Sequence, residues 1–182
     1  MHQAKEELLV LAAQQGNNQA LTFLCRHYQT ATTRFAYKLC NDPHIVEEAM
    51  QNAWLKLAKN LHQLKEPAAF KSWLFKAVRW SVYDLMRQVK KEQGLFSQES
   101  CINEVVDTEK AEKTNTQQQE LSACMKILPA IDQQVIHLFY LEEMRLSQIA
   151  DVLQVPIGTV KSRLNRARTT LRNALEEHNN EH

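Results

Sequence analysis

The chain has 182 residues, 44% of them hydrophobic, with 22 Lys and Arg set against 21 Asp and Glu for a formal net charge of +1; that apolar share suffices for folded cores, and the length fits one domain or two small ones. Only three glycines and four prolines occur, which argues against a turn-rich β protein, excludes a glycine-rich phosphate loop or dinucleotide fingerprint, and points to an all-α chain. No apolar run approaches the ~20 residues of a membrane span and no export signal opens the chain, so a cytoplasmic protein without membrane insertion is expected.

Charge is distributed in blocks. Lys71 to Lys91 holds six cations and one acid, Ser97 to Glu120 six acids and two cations, and Gln154 to Leu175 five cations and no acid. Two basic blocks separated by an acidic one suggest two places that touch nucleic acid and a segment that does not rest on duplex DNA. Cys25, Cys40, Cys101 and Cys124 form no C-x-x-C and no disulfide framework, so they read as reduced thiols. Cys40 and His44 alone do not make a structural zinc site, which wants four ligands. Neither a metal nor a cofactor is expected.

The first predicted helix covers residues 4 to 15, ended by Gly16. The second runs from Asn18 to Cys40, with Ala20, Phe23, Leu24, His27, Ala31, Phe35 and Leu39 as its buried stripe. Asn41-Asp42-Pro43 stops it; Asp42 can cap the next helix and Pro43 can open it. That third helix, Ile45 to Leu61, sets Val46, Met50, Ala53, Trp54, Leu57 and Leu61 on one face and Glu47, Glu48, Gln51 and Asn52 largely on the other. A loop from Leu61 to Lys71 follows.

A fourth helix is predicted from Phe70 to Val89. Leu74, Ala77, Val78, Ser81, Val82 and Leu85 form its buried side, and Lys76, Arg79, Trp80, Tyr83 and Arg87 its other stripe. Aromatics interleaved with cations suit single-stranded nucleic acid, since rings stack on unpaired bases while Lys and Arg hold phosphates; core packing of Trp80 and Tyr83 is the plainer reading of the same pattern. Periodicity fades from Lys90 to about Thr116, the mark of a flexible, acidic linker. Helices resume at 117 to 127 and, after Pro129, at Ile131 to Phe139.

The chain ends on a helix-turn-helix pattern at 146–166. Ser147 to Leu153 is the first helix, with Ser147 as N-cap, and Gln154-Val155 the turn. Pro156 then opens a second helix that buries Val160, Leu164, Ala167 and Leu171. In such a motif the second helix enters the major groove, its first residues meeting base edges and later cations meeting phosphates. Lys161, Ser162, Asn165 and Arg166 share one outward face, and Thr159, Arg163 and Arg168 flank it. Arg172 is a further candidate for a phosphate.

The wording VPIGTVKSRLNRAR closely resembles the C-terminal DNA-binding domain of sigma-70 family factors, especially the extracytoplasmic-function (ECF) group. IVEEAMQNAWLKL resembles the sigma segment that docks on a coiled coil of the polymerase largest subunit. This implies polymerase contacts by Glu47, Glu48, Gln51, Asn52 and Trp54, with Asn52 standing where an acid is usual. FKSWLFKAVRWSVYDLMRQVKK resembles the segment that recognises the −10 promoter element, implying contacts by Phe70, Trp73, Lys76, Arg79, Trp80, Tyr83 and Arg87; Trp80 stands where Asn is common. LPAIDQQVIHLFYLEEMRLSQIADVL resembles the helices that pack behind the −35 reader.

The resemblance implies two helical domains joined by a flexible linker: a region 2 domain at 1–90, a linker at 91–116 and a region 4 domain at 117–178. It further implies a sigma factor that binds core RNA polymerase and promoter DNA, with an anti-sigma factor as a third partner. A self-standing dimeric helix-turn-helix regulator is the alternative; a dimer surface or ligand constellation is not evident. An enzyme ranks last, because His27, His44, His62 and His137 belong to no catalytic set with diagnostic spacing.

Overall fold

A computed structural model describes residues 3–92 and 124–180. Helix α1 spans Gln3–Gln14, α2 Asn18–Leu39, α3 Pro43–Asn60, α4 Phe70–Glu92, α5 Ala130–Ile136, α6 Leu146–Leu153 and α7 Ile157–Asn180. Short 3-10 turns at Leu61–Gln63 and Pro67–Ala69 bridge α3 to α4. The described residues contain no strand.

Local chemistry sets the helix ends. Gly16 takes a positive φ of 89° after α1, a backbone state that glycine enters without steric cost. The Asn17 carboxamide accepts from the Gln19 and Ala20 amides, and Asp42 Oδ1 accepts from His44 (2.8 Å) and Ile45 (3.3 Å) at the start of α3. Gln14 Nε2 donates to the Leu61 and Leu64 carbonyls at 2.9 and 2.7 Å, pinning the α3–α4 connection to α1.

Helices α2, α3 and α4 pack around Leu24, Phe35, Leu39, Ala53, Leu57, Leu74, Phe75 and Val78. The Phe35 and Phe75 rings lie 5.4 Å apart, and Tyr28 meets Phe70 at 5.8 Å. A second apolar group, built on Leu128, Val135, Leu138, Ile149, Val152, Val160 and Leu164, joins α5, α6 and α7 and is continuous with the first. Helix α6 packs on α4, and α5 on α2, so the two groups share a seam.

The structure revises several sequence expectations. In α2, Phe23 is 45% exposed and His27 is exposed, whereas Tyr28, Thr32 and Ala36 are buried. Thr32 enters the core because its hydroxyl donates to the Tyr28 carbonyl at 2.7 Å, which satisfies its polarity within the helix. At α6 the N-cap is Arg145, in extended backbone, rather than Ser147. The α5 run continues past Ile136 as a π turn, His137–Leu141, in which the Glu142 amide donates to the His137 carbonyl. Lys91 and Glu92 belong to the last turn of α4. The rest of the expected linker, the helix before residue 124 and Cys101 lie outside the described residues.

Candidate nucleic-acid and polymerase interfaces

The helix-turn-helix forms because α6 ends on Gln154 in the left-handed region (φ 56°, ψ 46°), with its amide donating to the Ala150 carbonyl. Pro156 then accepts from the Thr159 and Val160 amides at 2.9 and 3.2 Å, starting α7. Ile149, Val152 and Leu153 of α6 and Val160, Leu164 and Ala167 of α7 are all buried, and this contact fixes the angle between the helices.

On the opposite face Lys161, Ser162, Asn165 and Arg166 are exposed together, while Thr159 and Arg163 are half-buried. They differ in their commitments. Lys161 and Asn165 project into solvent. The Ser162 hydroxyl donates to the Thr159 carbonyl at 2.9 Å. Arg166 grips Asp132 with three bonds of 2.7 to 2.9 Å, from Nε and Nη2 to both carboxylate oxygens. Arg168 donates from Nε to the Tyr140 hydroxyl at 2.8 Å and lies over the Phe139 and Tyr140 rings. Arg172 is exposed.

The aromatic–basic stripe of α4 is divided by the seam. Trp80 is 44% exposed, and Arg87 is exposed beside Asp84 at 3.4 Å. Lys76 and Trp73 are half-buried, and Phe70 lies fully inside the core. Arg79 and Tyr83 are covered, at 6% and 7% exposure. Arg79 Nε donates to Gln134 Oε1 at 3.1 Å, Gln134 Nε2 donates to the Tyr83 hydroxyl at 2.9 Å, and the guanidinium lies 4.8 Å from the Tyr83 ring centre. Burial pulls the Arg79 guanidinium below the usual arginine range; Tyr83 opposes this shift and nearby Arg163 adds to it.

Elsewhere along the seam the Lys71 ammonium donates to the Glu142 backbone carbonyl and lies 3.8 Å from its carboxylate. Glu142 also faces His137 Nε2 at 3.6 Å, and the His137 ring meets Phe35 at 5.4 Å. A cleft of about 770 Å³ opens beside these groups, between α1, α2 and the start of α6.

The third candidate surface is on α3. Glu47, Glu48 and Gln51 are exposed in one row, and Asn52 and Trp54 are half-buried beside it. Leu55, 60% exposed, adds an apolar element to the helix surface. Val46, Ala49, Met50, Ala53 and Leu57 hold the opposite side in the core.

Asp132, Gln134, His137 and Glu142 were not among the sequence candidates. Their signal was polarity at positions where α5 and the following turn carry apolar residues. A polar side chain at a buried helical phase calls for a partner, though the sequence does not say which.

Comparison with known proteins agrees with the geometry. Residues 24–92 match the family described as Sigma-70 region 2, and residues 118–171 match Sigma-70, region 4, together more than half of the chain. The chain is 26% identical over 176 residues to the ECF RNA polymerase sigma factor SigW of Bacillus subtilis, covering 89% of this chain and 92% of that protein. It is 25% identical to the ECF RNA polymerase sigma-E factor of Escherichia coli, covering 96% of each. The fold matches that of CnrH, solved in complex with the cytosolic domain of CnrY (TM-score 0.65, 20% identity, 94% of this chain and 97% of that one). It also matches the sigma factor RpoE of Bartonella quintana, solved with the anti-sigma factor NepR (TM-score 0.65, 24% identity, 85% and 96%). The chain belongs to the sigma-70 family, in its ECF group. Among the described residues no helix is long and apolar enough to cross a membrane.

Proposed function

We propose that the chain binds core RNA polymerase, directs it to promoters through −35 and −10 elements, and promotes strand opening. The observation that carries this reading is the pairing of two units in one chain: a region 4 match with an acid-free, exposed α7 face, and a region 2 match with an acidic α3 row and an aromatic–basic α4. Region 2 would span about residues 1–90 and region 4 residues 117–178, joined by a linker at 91–116. Lys161, Ser162 and Asn165 would read the −35 duplex, with Thr159, Arg163 and Arg168 positioned toward its backbone; Arg166, on the same face and expected to read bases too, is held by Asp132 and would orient the helix instead.

Helix α4 would hold the opened −10 strand through Trp80, Lys76 and Arg87, and through Arg79 and Tyr83 once these are uncovered. Glu47, Glu48, Gln51, Asn52 and Trp54 would dock on polymerase, the carboxylates steering association toward a basic partner surface. Because strand opening has no nucleotide-hydrolysis motif behind it, binding energy within the polymerase complex would drive it. An anti-sigma factor is a further proposed partner, and the structural neighbour RpoE, solved with the anti-sigma factor NepR, supports looking for one.

A self-standing dimeric regulator would leave the region 2 match and the acidic α3 row without a task. Run-off transcription with purified core polymerase, followed by start-site mapping, tests the proposal: defined starts that need both components are expected. Occupation of operators by the chain alone, with no initiation at any site in its own genome, would overturn it.

A further inference from the structure

Gln134 contributes one planar carboxamide to the seam, and the chemistry of its neighbours fixes how that group is turned. Arg79 can only donate, so the oxygen faces it; the amide NH₂ then donates to the Tyr83 oxygen. An acceptor beside a donor on one flat group is also what the pairing edge of every nucleobase presents. A guanidinium set over an aromatic ring, 4.8 Å from its centre, is in turn the combination that single-stranded nucleic-acid sites use to hold bases. Gln134 is 2% exposed, Arg79 6% and Tyr83 7%, so while this contact stands the pair is closed to any other ligand.

The contact is not an isolated one. Lys71, at the start of α4, is held by Glu142 on the same side, and Arg163 of α7 is near enough to Arg79 to oppose its charge. The C-terminal unit thus holds a second cation of α4 besides Arg79.

We propose that Gln134 holds, in the free chain, the place taken by an unpaired base when α4 binds an opened strand. The C-terminal unit thereby caps the Arg79–Tyr83 pair until strand or polymerase displaces it. This rests on the reading of α4 as the strand-binding helix. The ligand class of the uncovered pair is an unpaired base in single-stranded DNA, and any base edge can replace the carboxamide.

The test uses the full chain without polymerase and a short fluorescent single-stranded oligodeoxynucleotide of mixed sequence, read by anisotropy. Gln134→Leu keeps the side chain's bulk and removes both bonds. It should raise affinity about tenfold, the gain expected when a capped form holds about nine-tenths of the population. Adding Arg79→Ala to Gln134→Leu should abolish that gain.

A Gln134→Leu chain that folds, by circular dichroism, yet binds no tighter than the parent overturns the capping. If Arg79→Ala still weakens the promoter footprint of the polymerase complex in that case, the strand-binding reading survives. If instead affinity rises in Gln134→Leu and Arg79→Ala does not reduce it, the strand-binding reading of Arg79 is what fails. Should Gln134→Leu not fold, small-angle scattering of the parent chain decides: saturating oligonucleotide should enlarge its radius of gyration, and bound oligonucleotide with unchanged dimensions overturns the proposal.

Discussion

Asp132 is fully buried and gives its carboxylate to one guanidinium, that of Arg166, whose own side chain is 61% exposed. The two partners therefore have unequal alternatives. Without Asp132, Arg166 can turn to water; without Arg166, a buried carboxylate has lost its charge partner. Arg166→Ala should accordingly destabilise the chain by ~3 kcal/mol, the low end for breaking a buried pair because the guanidinium side is solvated. Asp132→Asn should cost only about 1 kcal/mol, since a neutral acceptor remains. Urea denaturation checks the order, and equal losses would contradict it.

The same bridge bears on promoter reading. Arg166→Ala should weaken −35 binding evenly across sequences, because the residue orients α7. Asn165→Ala, which removes an uncommitted amide, should relax preference at one base step by ~1–3 kcal/mol. Binding selections on randomised duplexes separate the two patterns. The outward spacing of Lys161, Ser162, Asn165 and Arg166 was legible in the sequence, because a helical face follows from period alone. The bridge was not, because pairing with a residue 34 positions away depends on how α5 crosses α7.

At the scale of elements, α3 and α7 came through the sequence well because their borders are chemical. Asp42-Pro43 caps and opens α3, and Pro156 starts α7 after a turn. Helix α2 came through less well. It carries aromatic and apolar residues on more than one side, so its rotation is set by what packs on it, and Tyr28 rather than Phe23 turned inward. For α4 the period left core packing and exposure of Trp80 and Tyr83 both open, and the two residues divide, Tyr83 buried and Trp80 exposed, because the second unit covers only part of the stripe.

The exposed α3 row makes a prediction at this scale. Glu47→Lys with Glu48→Lys should abolish binding to core polymerase and leave thermal unfolding nearly unchanged, because both side chains are exposed and surface substitutions usually stay within about 0.5 kcal/mol. Retained binding would move the docking site elsewhere. On α4, Trp80→Ala should impair strand opening more than duplex binding, since Trp80 is the exposed ring of the stripe. An unchanged permanganate footprint of the melted region would count against that role.

At the scale of the whole molecule, the two candidate DNA readers cannot both work as they stand. Promoter elements centred near −35 and −10 lie roughly 80 Å apart along a duplex that rises about 3.4 Å per base pair. A packed chain of this size has a radius of gyration of only about 16 Å. Here α6 lies on α4, and Arg79 and Tyr83 are covered at the seam by Gln134 of α5. Holding both elements at once thus requires the units to part, while the continuous core and the Lys71–Glu142 and Arg79–Gln134 contacts keep them together.

Polymerase must then supply differential binding to the parted form, because a ligand shifts such an equilibrium only by its preference for one state. Labels at exposed Gln88 on α4 and Asn173 on α7 should give strong energy transfer in the free chain. Addition of core polymerase and promoter DNA should reduce that transfer sharply. A transcriptionally active complex with undiminished transfer would mean that the seam persists during initiation, and that one of the two DNA assignments is wrong.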